Sequence, residues 1–206
     1  FAPTPHDVWD KYLDVYGLEA VFPVADTAIG KLAAIASEEI LYPEVARAHA
    51  IRGAEVFLHS TSEVASPNLT IKQIARRARA LENLAYVVSA NNAELRGIDV
   101  PIDSSNGFSD IIDYHGNQLV LAGVGESSVA SSFLDLAGLR AYRRRPAMAN
   151  MLSRQALEMF AESFANADLR RRNGLLQGGK LIIPDRSYFQ QRQADAIARM
   201  TERGII

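Results

Sequence analysis

Ser37 is the residue of this chain best placed for covalent chemistry. An apolar run from Leu32 to Ala36 leads into it, Glu38 and Glu39 follow it, and Pro43 stands where a helix would begin. A hydroxyl at the end of a buried strand is exposed yet rigidly held, which is how many α/β hydrolytic enzymes present a nucleophile. Serine is a weak nucleophile alone and needs an adjacent base. His59, closing the next apolar run (Ala54 to His59), is the candidate base, with Glu39 or Glu63 able to orient its imidazole. The competing reading is that His59 caps its strand or bonds the loop after it. His6, His49 and His115 fall in a loop, on a helix and in a turn. No His, Asp or Glu spacing resembles a metal site, and neither a metal nor a cofactor is expected.

The elements that must hold these residues can be read from periodicity. Asp7 is a candidate N-cap for a short helix carrying Val8, Trp9, Tyr12 and Leu13 that Gly17 ends. Val21 to Val24 and Leu32 to Ala36 read as strands joined by a turn at Thr27 to Lys31. Pro43 opens a helix that runs to about Arg52, and Ala54 to His59 follows as a buried strand. From Thr70 to Asn83, Ile71, Ile74, Ala75, Ala78 and Leu81 recur at helical spacing with arginines opposite. Tyr86 to Ala90 is another strand. Ile111 to Asp113 and Leu119 to Ala122 read as a hairpin around His115-Gly116-Asn117, and Val129 to Leu134 as a last strand ended by Asp135. Beyond Pro146 the pattern turns helical, is broken at Gly178-Gly179, and closes with a helix from Tyr188 to Arg203. The expected division is therefore residues 1–145 as the α/β domain and 146–206 as a helical extension.

Composition narrows the function classes. The chain has 206 residues, 48% of them hydrophobic, enough for a real core. A net charge of −2 offers no basic field for nucleic acid. The arginine triplets at 76, 77 and 79, at 143–145 and at 170–172 read as solvated faces or intersubunit ion pairs. With no cysteine, thiol nucleophiles and disulfides are excluded. No apolar run reaches membrane-spanning length and no signal peptide is visible, so a cytoplasmic protein without a membrane partner is expected. The first methionine is Met148, so a processed chain or a fragment is expected.

Five ordered motifs resemble the nitrilase superfamily, the carbon–nitrogen hydrolases. Gly30, Glu39, Tyr42, Pro43, Glu44 and Arg47 match its nucleophile segment, with Ser37 at the family's cysteine position. Gly53, Ala54 and Glu55 match the step into the next strand. Arg79, Ala80, Glu82, Asn83, Val87, Val88 and Asn91 match a helix–strand pattern. Gly107, Ser109, Ile111, Ile112, Asp113, Gly116 and Leu119 match a hairpin, followed by Gly125-Glu126 and Asp135-Leu136. The resemblance implies an α/β fold of the four-layer-forming α-β-β-α sandwich type, here its second half plus the helical extension. It implies acyl transfer on non-peptide C–N bonds of small amides or nitriles, amidase rather than nitrilase. Glu39 would then hold the turn through backbone amides and orient the amide after Ser37 as oxyanion donor. Glu44 and Arg47 would pair with each other or with Arg79. Tyr42, Ser60, Glu63 and Asn91 would line the pocket. The family's Glu base and Lys belong upstream of the nucleophile, and residues 1–20 carry no match to the Lys motif.

Three origins of Ser37 stay open: an engineered exchange, a natural serine hydrolase, and a silent homologue that binds a small ligand or scaffolds an oligomer. Ala36 and Glu38 also depart from the family pattern, which favours a natural serine. Assembly as a homodimer or larger homo-oligomer is expected through the Thr70 to Asn83 helix. Met148, Leu152, Met159 and Phe160 form an apolar stripe that either embraces a second subunit or folds back.

Overall fold

In the computed structural model, which describes residues 4–105, 107–125 and 127–206, Gly17 ends the first helix and a six-stranded sheet follows. Pro3 and Glu126 lie outside the described residues. In chain order the elements are α1 (Trp9–Tyr16), β1 (Ala25–Thr27), β2 (Gly30–Ala36), α2 (Pro43–Ile51), β3 (Val56–Thr61), α3 (Ile71–Asn83), β4 (Tyr86–Asn91), β5 (Asp110–Ile112) and β6 (Gln118–Leu121). They continue with α4 (Leu136–Arg144), α5 (Met151–Arg154), α6 (Glu158–Ala165), β7 (Leu176–Gln177), β8 (Lys180–Leu181) and α7 (Arg186–Glu202). Two compact units result, one of residues 22–155 and one of residues 1–21 with 156–206.

The larger unit is an α/β fold. Its strands lie in chain order, β1 to β6. β2, β3 and β4 are parallel, joined through α2 and α3, and the other pairings are antiparallel. Side chains alternate across a sheet, so the register assigns each row to one face. Ala33, Phe57, Val87 and Ile112 form one row and pack with Ala46 and Ala50 of α2 and Ala75 and Ala80 of α3. On the other face, Ala34, Leu58, Val88, Ile111 and Val120 form an apolar row. Leu58 there is 42% exposed. At the base of that face, Leu139 of α4 joins Val56, Leu84 and Tyr86.

Several expectations are corrected. The first strand is Ala25–Thr27; residues 18–21, which include Val21, form a 3-10 turn instead. Val129 to Leu134 is not a strand: no partner edge pairs with it among the described residues, and Val129 and Phe133 are almost fully exposed. Asp135 begins an element rather than ending one, accepting from the Gly138 amide as N-cap of α4. Arg143 is no solvated residue, because it donates to the carbonyls of Leu84 and Ala54.

The largest correction is the orientation of α3. Ile71, Ile74 and Leu81 are exposed, and the opposite stripe of Lys72, Arg76, Arg79 and Asn83 is buried. Ala75 and Ala80 share the buried face and let the helix lie close to the sheet. Its start is fixed by a reciprocal cap: Thr70 Oγ1 accepts from the Gln73 amide, and the Gln73 side chain accepts from the Thr70 amide.

The smaller unit is centred on Asp7. That residue is not the N-cap of α1; it is the acid of a cap begun by Thr4, whose amide and hydroxyl it accepts from. Fully buried, it also takes Arg170 at 3.0 Å and Arg192 at 3.3 Å. Gly178 and Gly179, both at positive φ, turn the β7–β8 hairpin. α7 begins at Asp185, which accepts from the Tyr188 amide. Among the described residues, no helix is long and apolar enough to cross a membrane.

Candidate active site

Two residues along from the apolar row, the sheet changes character. Ile35, His59, Ser89 and Asp110 form the next row on the α3 side, at the carboxyl ends of the parallel strands. Just past Ile35, β2 ends and Ser37 takes φ +44°, a left-handed backbone that costs a side-chain-bearing residue about 1–2 kcal/mol. Both flanks of that turn are held. Glu39 accepts from the Ala36 amide at 2.7 Å, and His59 Nε2 donates to the Ser37 carbonyl at 3.0 Å. Arg79 Nε adds a bond to the Ile40 carbonyl at 3.0 Å, tying the turn to α3.

The structure thus brings His59 to Ser37, but to its carbonyl oxygen. A carbonyl only accepts, so Nε2 carries the ring proton and Nδ1 is the acceptor, taking the Ser89 hydroxyl at 2.8 Å. Ser89 in turn accepts from Arg76 at 2.6 Å. A single chain of donors therefore runs from Arg76 through Ser89 and His59 to Ser37. Burial, followed by the charges of Arg76 and Lys72 and opposed by the Ser37 carbonyl bond, pushes the His59 pKa down to about 4. The ring is neutral at pH 7, with both nitrogens engaged.

The Ser37 hydroxyl itself meets a residue that sequence reasoning missed. Lys72 Nζ lies 3.0 Å from Ser37 Oγ and 3.1 Å from Thr61 Oγ1. One turn later, Arg76 has no exposed surface; it sits 3.1 Å from Asp110, in ion-pair rather than hydrogen-bond alignment, and 3.7 Å from Glu63. Burial raises the pKa of both carboxyls against the opposing pull of Arg76.

The candidate pocket residues divide. Tyr42 is exposed, its amide bonded to the Glu39 carbonyl. Ser60 is exposed but falls on the opposite face, in a row with Ala36 and Ala90, so that Thr61 is the β3 residue on the Ser37 side. Glu63 is buried, its carboxylate taking the Thr70 hydroxyl and its amide bonding Asn91. Asn91 also donates to Gly107 and accepts Glu63, which commits its side chain to holding loops together. A recess lined by Glu63, Thr70, Gln73, Asn91, Gly107 and Phe108 lies beside these two residues and touches neither Tyr42 nor Ser60. Arg79 pairs with Glu82 rather than with Glu44 or Arg47.

This arrangement can support acyl transfer: a strained, positioned hydroxyl, a lysine nitrogen within hydrogen-bond reach of it, and a dipole chain fixing its backbone. The carbon–nitrogen hydrolase family matches residues 3–144, and the chain belongs to that family. It is 31% identical over 123 residues to a probable nitrilase of Schizosaccharomyces pombe, covering 60% of this chain and 43% of that protein. The fold matches a carbon–nitrogen hydrolase from Helicobacter pylori with a TM-score of 0.58 at 21% identity, over 69% of this chain and 52% of that one. It also matches a mutant of the amidase from Nesterenkonia sp. AN1 that shows covalent addition of the acetamide moiety of fluoroacetamide at its active-site cysteine. There the TM-score is 0.54 at 23% identity, over 68% and 47% of the two chains. The chain therefore spans about half the length of these relatives.

Proposed function

We propose that this chain is the carboxyl-terminal part of an amidase-type carbon–nitrogen hydrolase that cleaves small non-peptide amides through an acyl-enzyme at Ser37. The observation that carries this reading is the left-handed Ser37 at the end of β2, with its hydroxyl against a lysine. In the reaction, Oγ attacks the amide carbon, ammonia or an amine departs, and water releases the acid. The covalent adduct on the active-site cysteine of the Nesterenkonia amidase, which keeps its amide, marks that cysteine as a nucleophile and supports a nucleophile at the matching place here. Tyr42, which is exposed, would border the substrate, and Glu63 and Asn91 would brace the loops behind it; Ser60, on the opposite face, would not reach it. Residues 1–145 would form the hydrolase portion and 146–206 the extension, in a cytoplasmic homo-oligomer. The exposed Ile71, Ile74 and Leu81 of α3, with Met148, Met159 and Phe160, are the apolar surfaces available for that association. The apolar row through Leu58 would receive the second sheet of the sandwich.

The test is ammonia release from a panel of short amides and nitriles by the protein and by its Ser37→Cys and Ser37→Ala variants. Turnover by the serine form that Ser37→Ala abolishes establishes the reading. A second reading, a silent homologue that binds a ligand or scaffolds an assembly, is favoured by the pairing of His59 with the carbonyl rather than the hydroxyl. Silence from both the serine and cysteine forms would select it.

A further inference from the structure

The geometry points to Lys72 as the group that takes the proton from Ser37 Oγ, with Thr61 holding the amine in place. This rests on the acyl-transfer reading above and names, among the described residues, a base for it. Lys72 Nζ is within hydrogen-bond reach of Ser37 Oγ at 3.0 Å. The other candidates are spent. His59 has one nitrogen on the Ser37 carbonyl and the other on Ser89. Glu39 binds the Ala36 amide, and Glu63 binds Thr70 and faces Arg76. Arg76 cannot release a proton, whereas a lysine amine can serve as a base.

The surroundings of Lys72 fit that use better than a structural ion pair. It is 9% exposed, its recorded partners are two hydroxyls, and among the described residues no carboxylate lies within ion-pair distance of Nζ. Glu63, the acid nearest along the chain, feels the charge of Lys72 from beyond ion-pair distance and is itself bonded to Thr70 and faces Arg76. Lys72 occupies the second position of α3, just past the reciprocal Thr70–Gln73 cap, so its stem starts from the best-fixed turn of the helix.

The amine of Lys72 accepts the Oγ proton as the Oγ–carbon bond forms, and the resulting ammonium gives that proton to the departing nitrogen as the C–N bond breaks. Water then attacks the ester carbonyl and loses a proton to the same amine. Collapse breaks the Oγ–carbon bond and returns the proton to Oγ.

The experiment is labelling by a small alkyl fluorophosphonate, with the modified residue and its rate read by mass spectrometry. The Oγ–phosphorus bond forms, fluoride leaves, and the Oγ proton passes to Lys72. The wild-type protein is expected to gain one phosphonyl group on Ser37. Lys72→Met and Lys72→Arg should both label about 100-fold more slowly or worse, since neither a thioether nor a guanidinium can accept the proton. Iodoacetamide labelling of Ser37→Cys/Lys72→Met, near the rate of Ser37→Cys alone, reports that the turn still folds, because a thiol supplies its own thiolate. Lys72→Arg labelling as fast as wild type, or no labelling of wild type, overturns the assignment. The ammonia assay separates the two claims: turnover that survives Lys72→Met removes Lys72 and leaves the amidase reading standing. Labelling lost in Lys72→Arg, with no ammonia from any form, removes the amidase reading and leaves the Ser37–Lys72 pair.

Discussion

Each compact unit buries one charge between two of the opposite sign. In the larger unit Arg76 lies between Asp110 and Glu63; in the smaller one Asp7 lies between Arg170 and Arg192. The settings differ. Arg76 and Asp110 are both sealed, and Glu63 nearly so, whereas the side chain of Arg170 is 40% exposed. Arg76 also passes its hydrogen bond on, through Ser89 and His59, to the backbone of Ser37. Asp7 passes nothing on; it clasps the Thr4 turn to the segment at 170 and to α7. Burying a charge between opposite charges rarely gains net stability over an apolar packing. The costlier cluster is thus the one beside the candidate nucleophile, and the cheaper one is a clasp.

The largest expected effect breaks the first cluster. Arg76→Met should destabilise the larger unit by about 3–5 kcal/mol, because two carboxylates stay buried without their cation. Adding Asp110→Asn should recover part of that loss, read as the urea midpoint. If Arg76→Met proves as mild as Arg170→Met, the two clusters do not differ in burial and the contrast fails.

A second effect is carried by pH. His59 titrates near 6.5 when unfolded and near 4 when folded, so the unfolded chain binds its proton first as pH falls. The stability that the neutral ring contributes is fully present above about pH 6.5 and is lost between there and about pH 4. The loss is on the order of 3 kcal/mol. His6 and His49 are shifted the same way by burial, so the informative quantity is the difference between wild type and His59→Gln. Equal pH slopes for the two proteins would show that the His59 pKa is the same folded and unfolded, so that the fold does not hold the ring neutral as the last donor-acceptor link to Ser37.

A smaller effect is expected in the clasp. Asp7→Asn should cost about 1–3 kcal/mol, since it keeps an oxygen acceptor and strands two arginines, one of which reaches water. It should leave labelling of Ser37 unchanged. A loss of labelling comparable to that of Lys72→Met would make the clasp part of the site.

Why one cluster was legible and the other was not comes down to periodicity. The β-α-β order, the ends of α2 and α3, and Ser37 at a strand terminus all follow from apolar runs with clear Pro, Gly and Thr boundaries. On α3, however, two stripes that share Ala75 have helical spacing: Ile71, Ile74, Ala75, Ala78 and Leu81, and Lys72, Ala75, Arg76, Arg79 and Asn83. Hydrophobicity selects the first, and the fold buries the second, because the residues awaiting it across the sheet are Ser89 and Asp110 rather than apolar ones. The signal was present in the alanines: Ala75 and Ala80, beside the arginines, mark the face that approaches the sheet. Lys72 was missed for the same reason. Val129 to Leu134 shows the opposite error, apolar letters without an edge to pair with.

The clusters also differ in the backbone they keep company with, and the smallest prediction tests that. In the smaller unit the left-handed residues are Asp168 and Asn173, types that tolerate such φ values, and Asn173 repays it through two bonds to Asp10. In the larger unit Leu84, at φ +47°, is 1% exposed and offsets its strain by packing. Ser37 has neither excuse: it is only half-buried and of an ordinary type. Strain without compensation in packing points to a function that needs the conformation. Ser37→Gly should therefore raise stability by about 0.5–1 kcal/mol, the relieved strain exceeding the flexibility that glycine gives the unfolded chain. Asn173→Gly should lower it by about 1 kcal/mol through the lost Asp10 bonds. If Ser37→Gly is instead destabilising, the Lys72 bond outweighs the strain, and the turn is built for stability as the Asp7 clasp is.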